Sequence, residues 1–294
     1  MASNTRNVKL GVCQVFLKGQ DLGYTKGGVE VSVTTETHEV NIDQFGKTAI
    51  NQLIMGRDLK VKVPMAETTL ENLVLTMPGT TLVETGGTAA TGTITIATNP
   101  ATSDTIIVNG TTVTFKTTTA DATKNEVLIG ATASDTAANL NKFLNESNDP
   151  GIAAATYTVA AAVVSVKYGN VTIYGTTGMK STEGNAFTLA TGTAGVKVTV
   201  SGATLSGGAN STGKMLTAET GVGLELLSRA RELRLHPVDK VASDLSEDFI
   251  VPLAGTAGAL SFAYKVDDER VYNVEFTGYP DPVTKRLFTV GGRA

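Results

Sequence analysis

Hydrophobic and polar side chains alternate along two stretches near the start of the chain. Residues 29–34 alternate valine with glutamate, serine and threonine, and residues 59–63 alternate leucine or valine with lysine. A period of two residues is typical of strands that bury one face. The pattern predicts two neighbouring strands joined by a long loop over residues 41–57.

The predicted loop carries large apolar side chains, which are Phe45, Ile50, Leu53, Ile54 and Met55. Connections between paired strands usually have about two to five residues. A soluble monomer rarely exposes many large apolar side chains together. Two alternatives remain open at this point: the loop folds back onto its own domain, or it packs against another subunit.

Further strand patterns occur towards both ends of the chain. They predict strands over residues 8–17, 218–237, 246–254, 258–266, 270–280 and 285–290. An acidic turn at Asp267, Asp268 and Glu269 joins the predicted strands 258–266 and 270–280. A short amphipathic helix is predicted over residues 66–76, beginning near Thr68 or Thr69 and ending before Pro78-Gly79.

The middle of the chain has a different texture. Residues 88–210 hold six Lys or Arg and seven Asp or Glu among 123 residues, about half the charge density of the rest. Both borders are rich in Gly, Thr and Ser, which predicts flexible linkers. We expect a discontinuous outer domain, residues 1–87 and 211–294, with residues 88–210 inserted as a small surface domain.

The inserted part is predicted to be β-rich with one helix. Asn109-Gly110 is a strong signal for a tight hairpin within residues 104–117. Ser134 is a candidate N-cap for a helix over residues 134–147. The remaining predicted strands cover residues 92–98, 156–168, 170–176, 185–191 and 196–202.

Composition restricts the function classes. The chain has 294 residues, 41% of them hydrophobic, and a net charge of −4 with a pI near 5.3. A sizeable core is possible, but the acidic balance argues against a tight electrostatic grip on nucleic acid. No signal peptide and no membrane-spanning run are recognised, so we expect synthesis in a cytoplasm and no membrane partner.

Candidate chemistry is sparse. Cys13, the single cysteine, excludes an intrachain disulfide and is expected to be a small buried residue. His38 and His236 are interpreted as surface or strand-end histidines. No nucleophile elbow, phosphate-binding loop or metal-ligand spacing is found. We therefore expect no enzyme activity, no cofactor and no metal.

Two segments resemble a known family. Residues 15–79, which include "GQDLGYTKGGVEVSVTTETHEVNIDQFGKTAINQLIMGRDLKVKVP", and residues 233–282, which include "LRLHP", "EDFIVPLA" and "YKVDDERVYNVEFTGYPDP", are similar to the two halves of the major tail tube protein of long-tailed bacteriophages. The resemblance covers most of the outer part. The middle resembles, in composition alone, the Thr/Ala-rich β domains that phage structural proteins carry.

The resemblance implies a fold and an assembly. The fold is a tail-tube-type β-sandwich or split barrel, with the helix at 66–76 covering its outside. Six subunits close into a ring, and rings stack into a tube whose lumen conducts DNA during genome ejection. The loop 41–57 reaches a neighbouring ring. Implied partners are further copies of the chain and other tail proteins, namely tape measure, terminator, and baseplate or tip proteins, all located in the virion tail.

The resemblance also suggests a lining for the lumen. Glu30, Ser32, Thr34 and Glu36 occupy the polar face of the first long strand. Acidic and neutral polar side chains let DNA pass because they make none of the Lys or Arg contacts that drive binding. Lys60 and Lys62 are expected to pair with Glu30 and Glu36, which leaves a near-neutral wall.

The inserted part is expected to project from the outside of the tube, a geometry that favours a non-contractile, siphophage-type tail. Deleting residues 88–210 is then expected to preserve assembly. Two rival interpretations stay open: a β-rich surface adhesin or carbohydrate-binding module, and another ring protein of the phage tail.

Overall fold

The structure is a computed structural model, and it describes residues 11–258, 260–262, 264 and 266–291. The strands of these residues are Cys13–Leu17 (β1), Gln20–Asp21 (β2), Glu30–Asn41 (β3), Ala49–Met65 (β4), Thr80–Thr85 (β5), Thr91–Ile96 (β6), Thr105–Val108 (β7), Thr111–Lys116 (β8), Glu126–Leu128 (β9), Ala155–Ala160 (β10), Val163–Tyr168 (β11), Leu189–Ala190 (β12), Val198–Val200 (β13), Gly213–Ala218 (β14), Arg231–Pro237 (β15), Phe249–Thr256 (β16), Tyr272–Tyr279 (β17) and Thr289–Val290 (β18). The helices are Leu70–Thr76 (α1), Ala133–Glu146 (α2), Pro150–Ala153 (α3), Val171–Tyr174 (α4) and Leu226–Arg229 (α5).

The protein is mainly β, which confirms the predicted class: 42% of the described residues are in strands and 18% are in helices. The strands form several largely antiparallel sheets, and none of those sheets closes on itself within the described residues. The two predicted helices are present as α1 and α2. The short helices α3, α4 and α5 were not predicted, since four residues are too few to show a helical period.

The largest sheet has eight strands and draws on both ends of the chain. Its order is β2-β1-β15-β16-β17-β4-β3, and β18 pairs with β16. In β4, Val63 lies opposite Val274 of β17 and Val61 lies opposite Val31 of β3. Leu59, Val61 and Val63 are all buried, so their alternation with lysine does mark the inner face of a strand.

Helix α1 packs against this inner face. Val74 and Leu75 of α1 join the same buried cluster as the β4 side chains. The Thr69 hydroxyl accepts a hydrogen bond from the backbone N–H of Asn72 at 3.1 Å and so caps the helix. The side-chain amide of Asn72 donates to the Leu22 carbonyl at 2.9 Å. The helix begins at Leu70, directly after the predicted cap Thr69, and not at residue 66.

A second core lies within the middle of the chain. Its buried residues run from Ala90 to Leu205 and are shared by the sheets β10-β11-β6-β13 and β12-β7-β8-β9 and by helix α2. The predicted Asn109-Gly110 hairpin is confirmed, with positive φ at both turn residues. The N-cap of α2 is Thr132, which forms a capping box with Asp135, and not Ser134.

Several predicted strands are wrong. Residues 170–176 form α4 and a 3-10 turn, because the Asn170 side chain accepts from the backbone N–H of Thr172 and starts a helix. Residues 218–237 are split between the end of β14, helix α5 and β15. The described residues of segment 258–266 form no strand, and β17 pairs instead with β16 and β4. Residues 8–10 of the first predicted strand lie outside the described residues.

The borders of the middle part are not flexible linkers. β5 pairs with β14 over six residues, from Thr80 opposite Ala218 to Thr85 opposite Gly213. Further bridges join Thr88 to Ala209 and Thr91 to Ser206. The chain therefore enters and leaves the middle part through a paired two-stranded stem. The backbone N–H and carbonyl groups of each Thr- and Gly-rich border form hydrogen bonds with those of the other border.

The two parts also touch away from the stem. The Lys18 ammonium, in the turn between β1 and β2, donates to the carbonyls of Asn145 (2.8 Å) and Ser147 (3.0 Å) at the end of α2. Ile173 and Tyr174 of α4 are buried in the core of the outer sheet rather than in that of the middle part. The division at residues 88 and 210 remains a prediction, but these contacts tie the two parts together.

Candidate assembly surface

The segment predicted as a long loop is a hairpin. β3 and β4 stay paired from Glu30 opposite Lys62 to Asn41 opposite Ala49, and a 3-10 turn at Asp43–Phe45 lies between them. The pairing shifts by one residue after Glu36 and again after Val40. These irregularities disturb the alternation in sequence, which is why residues 49–57 were not predicted as strand.

In the described part of the chain, the outer half of this hairpin has no other strand beside it. β17 pairs with β4 only from Leu59 to Met65, so residues 49–58 have β3 as their one paired neighbour among the described residues. A two-stranded ribbon exposes both of its faces to water. Every described side chain from residue 41 to residue 58 is exposed.

The predicted contact residues all lie on this ribbon. Their side chains are exposed in the single chain: Phe45 63%, Ile50 50%, Leu53 50%, Ile54 59% and Met55 69%. The alternative in which the segment folds back onto its own domain therefore does not describe this chain. Exposed apolar side chains gathered on one projecting element are typical of a surface that becomes buried on association.

The same hairpin forms a free edge of the large sheet. β3 has 12 residues and, among the residues that the structure describes, pairs on one side only. Val31 (38% exposed) and Val33 (40% exposed) lie opposite the buried Val61 and Leu59, so an apolar strip of the inner face continues out to this edge. A long unpaired edge is a template for another strand. The alternation in sequence did not reveal that these valines are exposed. It shows which side chains share a face of the strand, but not whether other residues pack against that face.

The opposite edge is short. β2 has two residues, Gln20 and Asp21, and the Leu22 N–H then donates to the Val15 carbonyl at 2.9 Å. The two ends of the sheet therefore differ: one is long, open and apolar on one face, and the other is a two-residue strand followed by a turn.

The proposed lumen residues share one polar face. Glu30, Ser32 and Thr34 lie opposite Lys62, Lys60 and Asp58 and are exposed. Lys62 Nζ lies 3.3 Å from the Glu30 carboxylate, which confirms that expected pair.

The other expected pair is wrong. Lys60 donates to Glu275 of β17 at 2.8 Å, and Glu36 lies opposite Gly56. The hydrogen bond with Glu275 raises the pKa of Lys60, and the hydrogen bond with Lys60 lowers the pKa of Glu275. Both lysines of this face are therefore paired with carboxylates, Lys60 with Glu275 and Lys62 with Glu30, and Glu36 lies further out along the hairpin. Exposed pairs of this kind add little stability.

The two histidines differ from each other. His38 is exposed on β3, as expected. His236 lies at the end of β15, which confirms the strand-end interpretation, but it is buried there, with its Nδ1 2.7 Å from Asp248 Oδ1, and is not a surface histidine. Asp248 lies 12 residues further along the chain and is brought there by the pairing of β15 with β16, a relationship that spacing does not reveal.

No candidate metal site and no activated cysteine emerge from the described part of the chain. The described residues contain no group of three or more His, Cys, Asp or Glu side chains that could hold a metal ion. Burial raises the pKa of the half-buried Cys13 thiol, which disfavours the reactive thiolate. Lys26 pairs with Asp268 and Glu269 and so offsets part of the negative charge of the acidic turn.

No helix among the described residues is long and apolar enough to cross a membrane. A scan against protein-family models finds no model that matches this chain. A search of curated proteins finds no significant match either.

Proposed function

We propose that this chain is a structural subunit of a bacteriophage tail tube. Copies form hexameric rings that stack into a tube, and DNA passes through the lumen during genome ejection. The observation that carries the proposal is the β3–β4 hairpin, which extends a free sheet edge and exposes Phe45, Ile54 and Met55. The similarity of residues 15–79 and 233–282 to the two halves of tail tube proteins supports the same function.

Assembly accounts for both unusual features of the hairpin. A partner strand along β3 would satisfy its free backbone groups and cover Val31 and Val33. A second ring stacked on the first would cover the apolar side chains at the hairpin end. Burial of such side chains stabilises an interface by about 25 cal/mol for each Å² removed from water.

The polar face supports a channel that does not hold DNA. Lys60 and Lys62 point to the same face as Glu30 and Ser32, but both lysines are paired with carboxylates. Paired lysines offer phosphate less net attraction than free ones, and Glu36 adds negative charge. We propose no enzyme activity for the chain and place it in the virion tail with the other tail proteins as partners.

Negative-stain electron microscopy of the purified protein tests the proposal. We expect tubes of uniform width at high protein concentration. The variant Phe45→Asp/Ile54→Asp should remain as rings or monomers. The matched control Val196→Asp, which adds a charge at an exposed valine of the middle part, should still form tubes. Dispersed wild-type monomers would contradict assembly, and wild-type rings that never stack would favour another ring protein of the tail.

A further inference from the structure

A groove of about 740 Å³ lies on the sheet of the middle part, far in sequence from the hairpin. Its floor is the face of strands β10, β11 and β6 that points away from the core, since Val164, Val166 and Ile94 of the same strands point inward and are buried. Two rows of directly opposed residues form this floor: Thr158, Ser165 and Thr93, followed by Thr156, Lys167 and Thr91.

One wall of the groove is held in place by the floor. The Thr156 hydroxyl is buried and lies 2.8 Å from the carbonyl of Gly169 and 3.1 Å from that of Gly175. The Lys167 ammonium donates to the carbonyl of Thr176 at 3.0 Å. The aliphatic part of Lys167 passes over Gly178, where an added Cβ would meet Lys167 Cγ at 2.5 Å. These two contacts hold the Lys167 side chain along the edge of the groove.

The opposite wall is also hydroxyl-rich. It contains Ser201, Thr204 and Ser206. The Ser201 hydroxyl accepts from the backbone N–H of Thr93 at 2.9 Å, and Ser206 pairs with Thr91 through two backbone hydrogen bonds. The groove therefore has a rigid floor and two walls that are tied to it.

The polar groups of the groove are largely free. Within the described chain, the hydroxyls of Thr93, Thr158 and Ser165 have no hydrogen-bond partner, and Lys167 has no carboxylate within ion-pair distance. An ammonium has three donors, so two remain after the bond to Thr176. None of the residues lining the groove, all of which are described, is acidic or aromatic.

We propose that this groove binds a polyhydroxylated anion, of the chemical class of an acidic sugar residue. Hydroxyl groups donate and accept, so a row of serines and threonines matches a ligand that carries hydroxyls along its length. The Lys167 ammonium supplies a charge-assisted bond to the anionic group. The volume is within the range of small-molecule sites. The proposal does not depend on tube assembly.

The test uses the full-length protein and four probes: glucuronate, glucose, acetate and a hyaluronan tetrasaccharide. Binding is followed by isothermal titration calorimetry, which can be applied to the protein whether or not it assembles. We expect glucuronate to bind about tenfold more tightly than glucose or acetate, since it combines both interactions. A tetrasaccharide that binds more tightly than glucuronate identifies a glycan chain as the source of the ligand, and equal affinity identifies a single acidic sugar.

Variants distinguish binding in the groove from nonspecific attraction of the anion to lysines elsewhere on the protein. Lys167→Met should reduce glucuronate affinity to that of glucose, and Thr93→Val/Ser165→Ala should weaken glucose and glucuronate alike. The control Lys124→Met removes an exposed lysine elsewhere in the middle part and should change neither affinity. Absence of binding at about 50 mM glucuronate, equal binding of acetate, or unchanged binding by Lys167→Met would each overturn the proposal.

Discussion

The phenolic hydroxyl of Tyr174 donates a hydrogen bond to the Glu71 carboxylate across 3.2 Å, joining α4 of the middle part to α1 of the outer part. Tyr174 is buried in the same cluster as Val74 and Leu82. Its burial first, and the charge of Glu71 second, raise the pKa of Tyr174 well above its usual value. The middle part therefore completes the outer core instead of being attached by the stem alone.

Truncation of Tyr174 should destabilise the whole chain. We expect Tyr174→Ala to lower the free energy of unfolding by about 3–5 kcal/mol, because it leaves a cavity between α1 and the stem. Tyr174→Phe should cost about 1 kcal/mol, since it removes only the hydrogen bond to Glu71. Urea denaturation followed by circular dichroism measures both. Tyr24→Ala, at a tyrosine that is 82% exposed, is the matched control and should have little effect.

The same contact changes what is expected of the deletion of residues 88–210. The sequence suggested that the outer part would tolerate it. The deletion also removes Ile173 and Tyr174 from the outer core, so we expect the joined outer part to unfold at a lower urea concentration than the intact protein. A midpoint equal to that of the intact chain would show that these two side chains contribute nothing to the outer core.

The hairpin residues should matter for assembly and not for folding. Ile54 is 59% exposed and Val61 is 1% exposed on the same strand. We expect Ile54→Ala to change the free energy of unfolding of the monomer by less than about 0.5 kcal/mol, as for most surface substitutions. Val61→Ala should cost about 2 kcal/mol or more, because it empties a core position.

Light scattering then separates the two effects. Ile54→Ala should raise the protein concentration needed for assembly while its urea midpoint stays unchanged. Val61→Ala should lower the urea midpoint. Equal assembly of the wild type and Ile54→Ala would show that the exposed side chain lies outside the interface.

The sequence predicts elements that a local period or a cap specifies. The part of strand β4 from Leu59 to Val63, helix α1 with its Thr69 cap, and the Asn109-Gly110 turn are of this kind, because their determinants lie within a few residues. The stem, and the burial of α4 in the outer core, depend on pairing between residues more than 80 positions apart. No local pattern contains that information.

Only part of the candidate surface was predicted, again because local patterns contain no information about strand pairing. The sequence identified the apolar side chains, since a set such as Leu53, Ile54 and Met55 is visible in composition alone. It placed them on a loop because two shifts of register hide the period of the ribbon. It also missed the exposure of Val31 and Val33, which depends on β3 having one neighbouring strand instead of two within the described residues.

Lys18 should make stability depend on pH. Burial first, and the nearby Arg231 second, lower its pKa from 10.5 to about 8, while Glu232 and Glu146 act in the opposite direction. The folded protein therefore releases this proton more easily than the unfolded chain does. Stability should rise as the pH increases from about 8 to 10.5, because in that window the unfolded chain binds more protons at this site.

The difference between two variants isolates this effect. Lys18→Met removes the titrating group, so its free energy of unfolding should lack the rise between pH 8 and 10.5 that the wild type shows. Lys124→Met, at a lysine in an exposed pair with Asp121, should retain the rise. Urea midpoints measured across this range provide the comparison, and parallel curves for the wild type and Lys18→Met would contradict the prediction.

Charge reversal on the polar face should slow the passage of DNA. Glu30→Lys/Glu36→Lys removes the partner of Lys62, 3.3 Å from Glu30, and adds two cations per subunit along β3, one opposite Lys62 and one opposite Gly56. Multiplied around a ring, these cations would contact phosphates and release counterions, so retention should be strongest at low salt. We expect phage particles built with this variant to eject their genomes more slowly than the wild type, with the difference shrinking as salt rises.

Glu183→Lys, at an exposed residue of the middle part, is the control and should eject at the wild-type rate. Wild-type ejection by the double variant at low salt would show that this face does not line the path of the DNA.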